Sequence, residues 1–300
     1  MRILITGATG LIGTEIVAQC HKAGIAVNYL TTSKSKIENK KNYQGYYWNP
    51  SNAIIDVKCL ENVDVIIHLV GASISKRWTK AHKQAILNSR LKTTALLHDT
   101  VKNNPNTIKQ IVSASAIGYY PDSLTNYYTE DEKNVNTSFL GQVVEVWEQA
   151  VDTFKTLNIT VSKIRIGVVF SKEGGAFPQL AKPIKYGAGA VMGNGKQWMS
   201  WIHLHDLAAI FLHVAKNKLE GIYNGVSPNP ETNKSITKSI ARHLKKPLIL
   251  PNIPKIIMKI VLGEMHIILF ESQRVSSKKI ENTGFNFEFP NLKSALNKLL

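Results

Sequence analysis

Two stretches of the chain set residue types at spacings that chemistry can use. In "GATGLIG", residues 7–13, glycines stand at positions 7, 10 and 13. They lie between a short β-branched run, "RILIT" (2–6), and an apolar stripe of Leu11, Ile12, Ile16, Val17 and Cys20 at helical spacing. A glycine-lined turn from strand into helix lets backbone approach a pyrophosphate, and the helix start offers free N–H groups and a partial positive charge. Glycine at position 13 also lets helix and strand pack closely. The spacing is Gly-x-x-Gly-x-x-Gly, not the more familiar Gly-x-Gly-x-x-Gly. A turn needed only for packing is the competing explanation; the strand–loop–helix context favours a dinucleotide site. In "SASAIGYYPD" (113–122), Ser115 stands four residues before Tyr119, with Tyr120 next. That set suits the acid/base end of a carbonyl-reducing site, and equally a small-residue turn that lets backbone approach a ligand.

Such residues need a frame that gathers strand ends. After the first strand and helix, Gly24 sits where a helix stops, and "AVNYLT" (26–31) is a second strand. "VDVIIHLV" (63–70) is almost continuously apolar, as in a strand buried on both sheet faces. A long helix is expected over 80–101, a strand over 109–115, a helix over roughly 138–156 and a strand over 160–170. Beyond that the chain is glycine-rich, then resumes with a strand at 198–203, a helix opening near Asp206 as N-cap, and a last strand at 221–227. Strands alternating with helices give an α/β fold, a Rossmann-type doubly wound parallel sheet. The late segments form a smaller, mostly helical C-terminal substrate lobe.

Composition narrows the classes. The apolar share is 44%, ordinary for a globular chain. The N-terminus turns to glycine too soon for a signal peptide. "KIIMKIVLGEMHIILF" (255–270) is interrupted by Lys259, Gly263, Glu264 and His266, so it is a packed helix rather than a membrane span. Two cysteines, Cys20 and Cys59, in no metal-like spacing fit a reduced, cytoplasmic protein. The net charge of +16 is spread over the chain without interleaved aromatics. It therefore describes a lysine-rich surface, possessed of no nucleic-acid signature, with a basic pocket for an anionic ligand left open. His21, His82, His98 and His213 lie on expected helices without a second ligand at metal spacing, and no metal is expected.

The second strand ends "YLTTSKSK", with no acid before Glu38. An acid there would bind the ribose 2′-hydroxyl of NAD; hydroxyls plus Lys34 tolerate a 2′-phosphate, so NADP(H) is favoured over NAD(H).

The stretches "ILITGATGLIG", "VIIHLVGASISKRW", "SASAIGYY", "FLGQVVEVWE", "IRIGVVFSKEGGAF", "GNGKQWMSWIHLHDLA", "ESQRV" and "TGFNFEFPNL" occur in that order across almost the whole chain. Together they resemble the NAD-dependent epimerase/dehydratase branch of the short-chain dehydrogenase/reductase superfamily. More narrowly, they resemble atypical epimerase-family proteins with an extra C-terminal module of unknown role. The resemblance implies an NAD(P)-binding domain over 1–220 and the module over 248–298. It puts Gly7, Gly10, Leu11, Ile12 and Gly13 at the cofactor diphosphate, and Thr31 and Thr32 near the adenosine ribose. Thr32 falls where relatives commonly carry an arginine for the 2′-phosphate, a role Lys34 would have to take. Leu69, Val70 and Gly71 would line the adenosine side. Arg90 would reach a phosphate or anchor a loop carboxylate.

In that superfamily a serine holds the carbonyl, a tyrosine transfers the proton, and a lysine four residues on lowers the tyrosine pKa. Ser115 matches the serine. The helix due to carry the other two reads "SFLGQVVEVWEQA", with an apolar stripe of Phe139, Val143, Trp147 and Val151 and no tyrosine or lysine. None of the ten tyrosines has lysine four residues later. Three readings stay open. Tyr119 or Tyr120 acts as the acid, tuned by Arg90, Lys196 or His203; or hydride transfer uses a proton from water or a histidine; or the protein binds the nucleotide without turnover, as a sensor or regulatory protein. In "GNGKQWMSWIH", Trp198 and Trp201 suit a flat group and Lys196 with Gln197 an anion, with core packing the alternative for each. The sequence thus describes an oxidoreductase or epimerase-like protein for a small carbonyl or hydroxyl substrate, a monomer or homodimer without nucleic-acid or membrane partners.

Overall fold

The computed structural model describes residues 1–300. Seven strands run parallel in the order β3-β2-β1-β4-β5-β6-β7. They are β1 (Arg2–Thr6), β2 (Ala26–Thr31), β3 (Tyr43–Asn49), β4 (Val65–His68), β5 (Gln110–Ala116), β6 (Thr160–Ile166) and β7 (Gly221–Gly225). Two short antiparallel strands, Asn39–Lys40 and Ile54–Ile55, border β3. The strand order reverses between β1 and β4, the crevice where ligands bind in open α/β sheets.

The helices are α1 (Leu11–Lys22), α2 (Lys80–Asn103), α3 (Phe139–Asp152), α4 (Phe177–Lys185), α5 (Leu204–Lys216), α6 (Asn233–His243) and α7 (Lys255–Leu262). Right-handed crossovers in opposite directions from the switch point put α1 and α2 on opposite sheet faces. Accordingly α1 packs against α5, and α2 against α3. All four residues of β4 are buried, as its apolar run requires. The main core includes Ile3, Ile5, Ile66, Val112, Ile164 and Phe211. A second core gathers Phe170, Phe177, Trp201, Ile236 and Leu296, joining α4, α6 and the final helix Leu292–Leu299.

Several elements differ from the sequence expectation. The edge strand β3 was not foreseen, since its aromatic "YQGYYWN" has no clean alternation. The run 160–170 is two strands broken at Gly167, where a Cβ would lie 2.2 Å from the Ser200 carbonyl oxygen. Beyond it, Val168–Phe170 leaves the sheet and pairs in parallel with Trp201–His203. The expected strand 198–203 is likewise split, Trp198–Met199 pairing with Glu231–Thr232.

Helix α5 starts at Leu204, with His203 rather than Asp206 as its N-cap; the His203 Nδ1 accepts from the His205 amide at 3.2 Å. Asp206, inside the first turn, accepts instead from the amides of Glu288 and Phe289, both at 2.9 Å. Finally, the packed helix expected over 255–270 breaks at Gly263 (φ +61°), and no residue of α7 is buried. Its Met258 and Leu262 lean toward the body while its isoleucines face outward.

Candidate cofactor cleft and buried Ser–Glu–Arg cluster

The glycine turn has the conformation its spacing demanded. Gly7 lies at φ +76°, in the left-handed region that favours glycine, and its carbonyl accepts from the Gly10 amide at 3.0 Å. A Cβ on Gly13 would stand 2.1 Å from the Gly7 oxygen and 2.7 Å from the Ala8 Cα, so only glycine fits where α1 meets the turn. No side chain caps α1, and the Thr14 amide is the first to bond into the helix. The amides of Leu11, Ile12 and Gly13 therefore point forward as free donors at the positive end of the helix, a ready anion cradle. Gly174 packs against the Leu11 side chain, a Cβ there falling 3.3 Å from Leu11 Cδ2, so the segment "SKEGGAF" lies beside the cradle.

The other wall is the turn after β4. His68, wholly buried, bonds Thr6 through Nδ1 at 2.8 Å and Thr94 through Nε2 at 3.2 Å, tying β4 to β1 and α2. Burial, helped by the Arg90 charge, lowers its pKa to about 4, so the ring stays neutral. The Leu69 amide donates to Thr6 Oγ1 at 3.1 Å, and Leu69 and Val70 flank Gly7. Arg90 faces neither a carboxylate nor open solvent. Its Nη1 donates to the Ile86 carbonyl at 2.9 Å and more weakly to that of Ala72 at 3.4 Å; the guanidinium lies over Gly71 and 4.9 Å from the Trp147 ring centroid. Burial lowers its pKa to about 10. Its observed partners make it a brace for the turn.

At the end of β2, Thr31 is buried and its Oγ1 accepts from the Ser33 amide at 3.2 Å, while Thr32 is exposed. Lys34 lies 5.3 Å from the Tyr47 ring centroid, and the nearest acid in sequence, Glu38, is paired with Lys40. The strand end thus presents hydroxyls and lysines.

Ser115 and Arg165 are register partners on adjacent strands β5 and β6, so their side chains leave the sheet on one face. Helix α3 covers that face and brings Glu148 down onto both. Ser115 Oγ donates to Glu148 Oε1 at 2.6 Å; Arg165 donates through Nε to Oε1 at 2.8 Å and through Nη2 to Oε2 at 2.9 Å. This two-pronged pair is the strong form of a charge-assisted bond. Lys163, two residues earlier on the same face, pairs with Asp152 at 2.8 Å. Burial works against the Arg165 cation, but the bonds and charge of Glu148 outweigh it and hold its pKa above the ordinary value. Neither Glu148 nor Arg165 was named among the site candidates in the sequence. The signal was available: two basic residues at alternate positions of a buried strand require buried acids opposite.

The two tyrosines divide. The Tyr119 ring stacks on the Arg165 guanidinium, which lies 3.5 Å from the ring centroid; the residue is half-buried, and its exposed hydroxyl has only a long contact, 3.5 Å, to the Lys133 carbonyl. Tyr120 is fully buried; its hydroxyl donates to Asn224 Oδ1 at 2.7 Å, and burial pushes its pKa up to about 12. Asn224 is in turn held by Glu130, which accepts from its backbone amide at 2.8 Å and so braces β7. Trp201 and Gln197, considered above for ligand contact, are interior: the indole N–H bonds the Asn229 carbonyl, and the Gln197 amide bonds the carbonyls of Met192 and Leu269. Trp198 remains half-buried under Arg274, at 4.4 Å, and Lys196 is exposed. His203 packs against Phe289 with the rings tilted by 36° and centroids 4.0 Å apart, and burial together with the His205 charge lowers its pKa to about 4.

The late segment seals this end of the sheet. Ser272 Oγ donates to the Ser123 carbonyl at 2.8 Å, Ser200 Oγ to that of Gln273 at 2.8 Å, and Asn224 Nδ2 to that of Ser276 at 3.0 Å. Two surface cavities, about 290 Å³ beside Tyr186 and Leu244 and about 380 Å³ beside Glu130 and Lys163, include none of the glycine-turn residues.

Residues 3–225 match the model of the NAD dependent epimerase/dehydratase family, and residues 253–299 match a domain of unknown function, DUF1731. An epimerase family protein of Staphylococcus aureus (strain MRSA252) is 35% identical over 298 residues, 99% of this chain and 98% of that one. The crystal structure of a human epimerase family protein, SDR39U1 isoform 2, with NADPH superposes with a TM-score of 0.86 at 29% identity, covering 100% of this chain and 99% of that one. A nucleoside-diphosphate sugar epimerase from Corynebacterium glutamicum superposes with a TM-score of 0.78 at 28% identity, covering 99% of this chain and 57% of that one. Together with the glycine turn and the parallel sheet, these matches establish that the chain belongs to the NAD dependent epimerase/dehydratase family.

Proposed function

We propose that this protein binds a nicotinamide dinucleotide, NADP(H) in preference to NAD(H), and acts on a small carbonyl or hydroxyl compound held beside it. The observation that carries the reading is the cradle at the start of α1: three free amides at a turn where Gly13 admits no side chain. The human relative crystallised with NADPH supports the cofactor class. The NADP preference rests on the hydroxyls and lysines at the end of β2, with Glu38 engaged by Lys40. In this reading Gly7, Gly10, Leu11, Ile12 and Gly13 hold the diphosphate, Thr31, Thr32 and Lys34 the adenosine ribose, and Leu69, Val70 and Gly71 the opposite wall, braced by Arg90. Residues 1–220 form the cofactor part, and 248–298 the module that covers it.

A bound nicotinamide supplies a hydride donor or acceptor. This chain's residues supply binding and proton control. The Ser115 proton is committed to Glu148, so the hydroxyl offers lone pairs and accepts from a substrate hydroxyl more readily than it donates to a carbonyl. Arg165 fixes the Glu148 carboxylate and carries the Tyr119 ring on its other side. Of the adjacent tyrosines, Tyr119 is the proton-transfer candidate, because the Tyr120 hydroxyl is spent on Asn224.

The first test is titration with NADPH and NADH, followed by cofactor fluorescence. Submillimolar binding with NADPH tighter is expected; no binding of either removes the proposal, and tighter NADH reverses the preference. Exchange of labelled hydride and solvent deuterium is then screened over sugar-nucleotide and small carbonyl panels. Rates should fall in Ser115→Ala and Tyr119→Phe. A second reading, nucleotide binding without turnover, draws on the same Ser115–Glu148 bond, which occupies the serine in the absence of any neighbouring lysine–tyrosine pair. Binding without exchange on any panel would select it.

A further inference from the structure

We propose that the outward face of α7 docks on an anionic lipid surface, so that the protein is peripherally membrane-associated, against the expectation from sequence of no membrane partner. The helix reads Lys-Ile-Ile-Met-Lys-Ile-Val-Leu, and its aliphatic residues lie on the wrong side for a soluble helix. Ile256 is 62% exposed, Ile257 48%, Ile260 73% and Val261 59%. At about 100° per residue these four share one stripe, while Met258 and Leu262 turn toward the body. The preceding turn adds Ile249, 75% exposed, and Leu250. A monomer surface seldom leaves so many large aliphatic side chains together in water.

The charge around the stripe selects the occupant. From Thr232 to Gly263 the chain carries seven Lys and Arg residues and no Asp or Glu. At 100° per residue Lys259 stands next to Ile256, while Lys255 lies on the far side of the helix, 5.9 Å from the Phe270 ring centroid; Arg77 approaches Gly263 from the loop before α2. Glu264, just past the helix, is engaged by Lys83. A second copy on this face would bring lysine against lysine on a chain of net charge +16. An anionic headgroup layer meets the lysines, while the isoleucines enter the acyl boundary, the arrangement of interfacial amphipathic helices. No helix of the protein is long and apolar enough to cross a membrane, so the contact is a surface one. The inference is independent of the cofactor reading.

The test is co-sedimentation of the full chain with phosphatidylcholine vesicles with and without phosphatidylglycerol. Binding is expected only with phosphatidylglycerol, and it should weaken as salt rises. Ile256→Asp with Ile260→Asp should weaken it by more than about tenfold. Lys259→Gln should cost about fivefold, and Lys255→Gln, farther from the stripe, about twofold. All four side chains are exposed, so the thermal midpoint should stay unchanged; if the aspartate pair unfolds the protein, the lysine variants decide. Equal binding to neutral vesicles, absent binding, or variants that bind like the parent chain overturns the proposal. So does a dimer in sedimentation velocity that the aspartate pair abolishes without any vesicle binding, which would assign the face to a second copy.

Discussion

Replacing Glu148 by glutamine removes one charge from a site that has few ways to adapt. The carboxylate takes three hydrogen bonds, from Ser115 Oγ, Arg165 Nε and Arg165 Nη2, at 2.6, 2.8 and 2.9 Å. The side chains of Arg165 and Glu148 are 2% and 8% exposed, so water cannot replace the lost partner. Arg165 Nη1 already lacks a hydrogen-bond partner, and Lys163 adds a second cation 4.0 Å from Glu148 Oε2. Removing one member of a buried ion pair costs about 3–5 kcal/mol. Glutamine keeps the size and one carbonyl oxygen, so the lower end, about 3 kcal/mol, is expected. The assay is urea unfolding followed by tryptophan fluorescence, with a separate double-mutant cycle built from Glu148→Leu and Arg165→Met. Glu148→Leu/Arg165→Met should recover most of the loss, because a buried pair exchanged for apolar groups of similar size is close to neutral. A Glu148→Gln loss below about 1 kcal/mol would refute the reasoning, since that is the range of a solvated surface pair.

Gly13→Ala should weaken NADPH binding by at least about tenfold, because the added carbon meets the Gly7 carbonyl oxygen at 2.1 Å and displaces the cradle amides; cofactor-fluorescence titration checks it. Asp206→Ala strands the amides of Glu288 and Phe289 and should cost about 1–3 kcal/mol, with hydrogen exchange rising first over 285–299. His68 has a folded pKa of about 4 against an ordinary 6.5, so the unfolded chain takes up its proton first as pH falls. Stability from this group is intact above 6.5 and declines toward 4, by roughly 3 kcal/mol in total. Burial raises the carboxyls of Glu130, Asp206 and Glu271 and so works the other way on acidification. Comparing the pH slopes of the parent chain and His68→Gln isolates the histidine; equal slopes would dismiss it.

Much of the frame was visible in local sequence. The strands 2–6 and 26–31, the start of the strand expected over 221–227, the long helix from Lys80 and the turn at Gly7 follow from apolar periodicity, glycine placement and caps, all of which act within a few residues. The same locality explains the failures. Gly167 ends one strand and starts another because Ser200, far along the chain, presses on it. Asp206 looked like a cap because its true partners, Glu288 and Phe289, lie more than eighty residues away. Helix α7 looked packed because its apolar content does not say which side faces the body.

The site divides along the same line. By itself the sequence determined the glycine turn, since strand, glycines and helix are contiguous and each residue's requirement is set by its immediate neighbours. It also determined that Ser115 would stand near the carboxyl end of a strand. Only the tertiary structure decided what Ser115 does there. It joins Glu148 and Arg165, 33 and 50 positions away, through sheet register and the seating of α3. It also separates Tyr119 from Tyr120, giving one hydroxyl to Asn224 and leaving the other at the edge. Pairing between distant segments depends on how apolar faces meet across the core, which residue spacing along the chain does not encode.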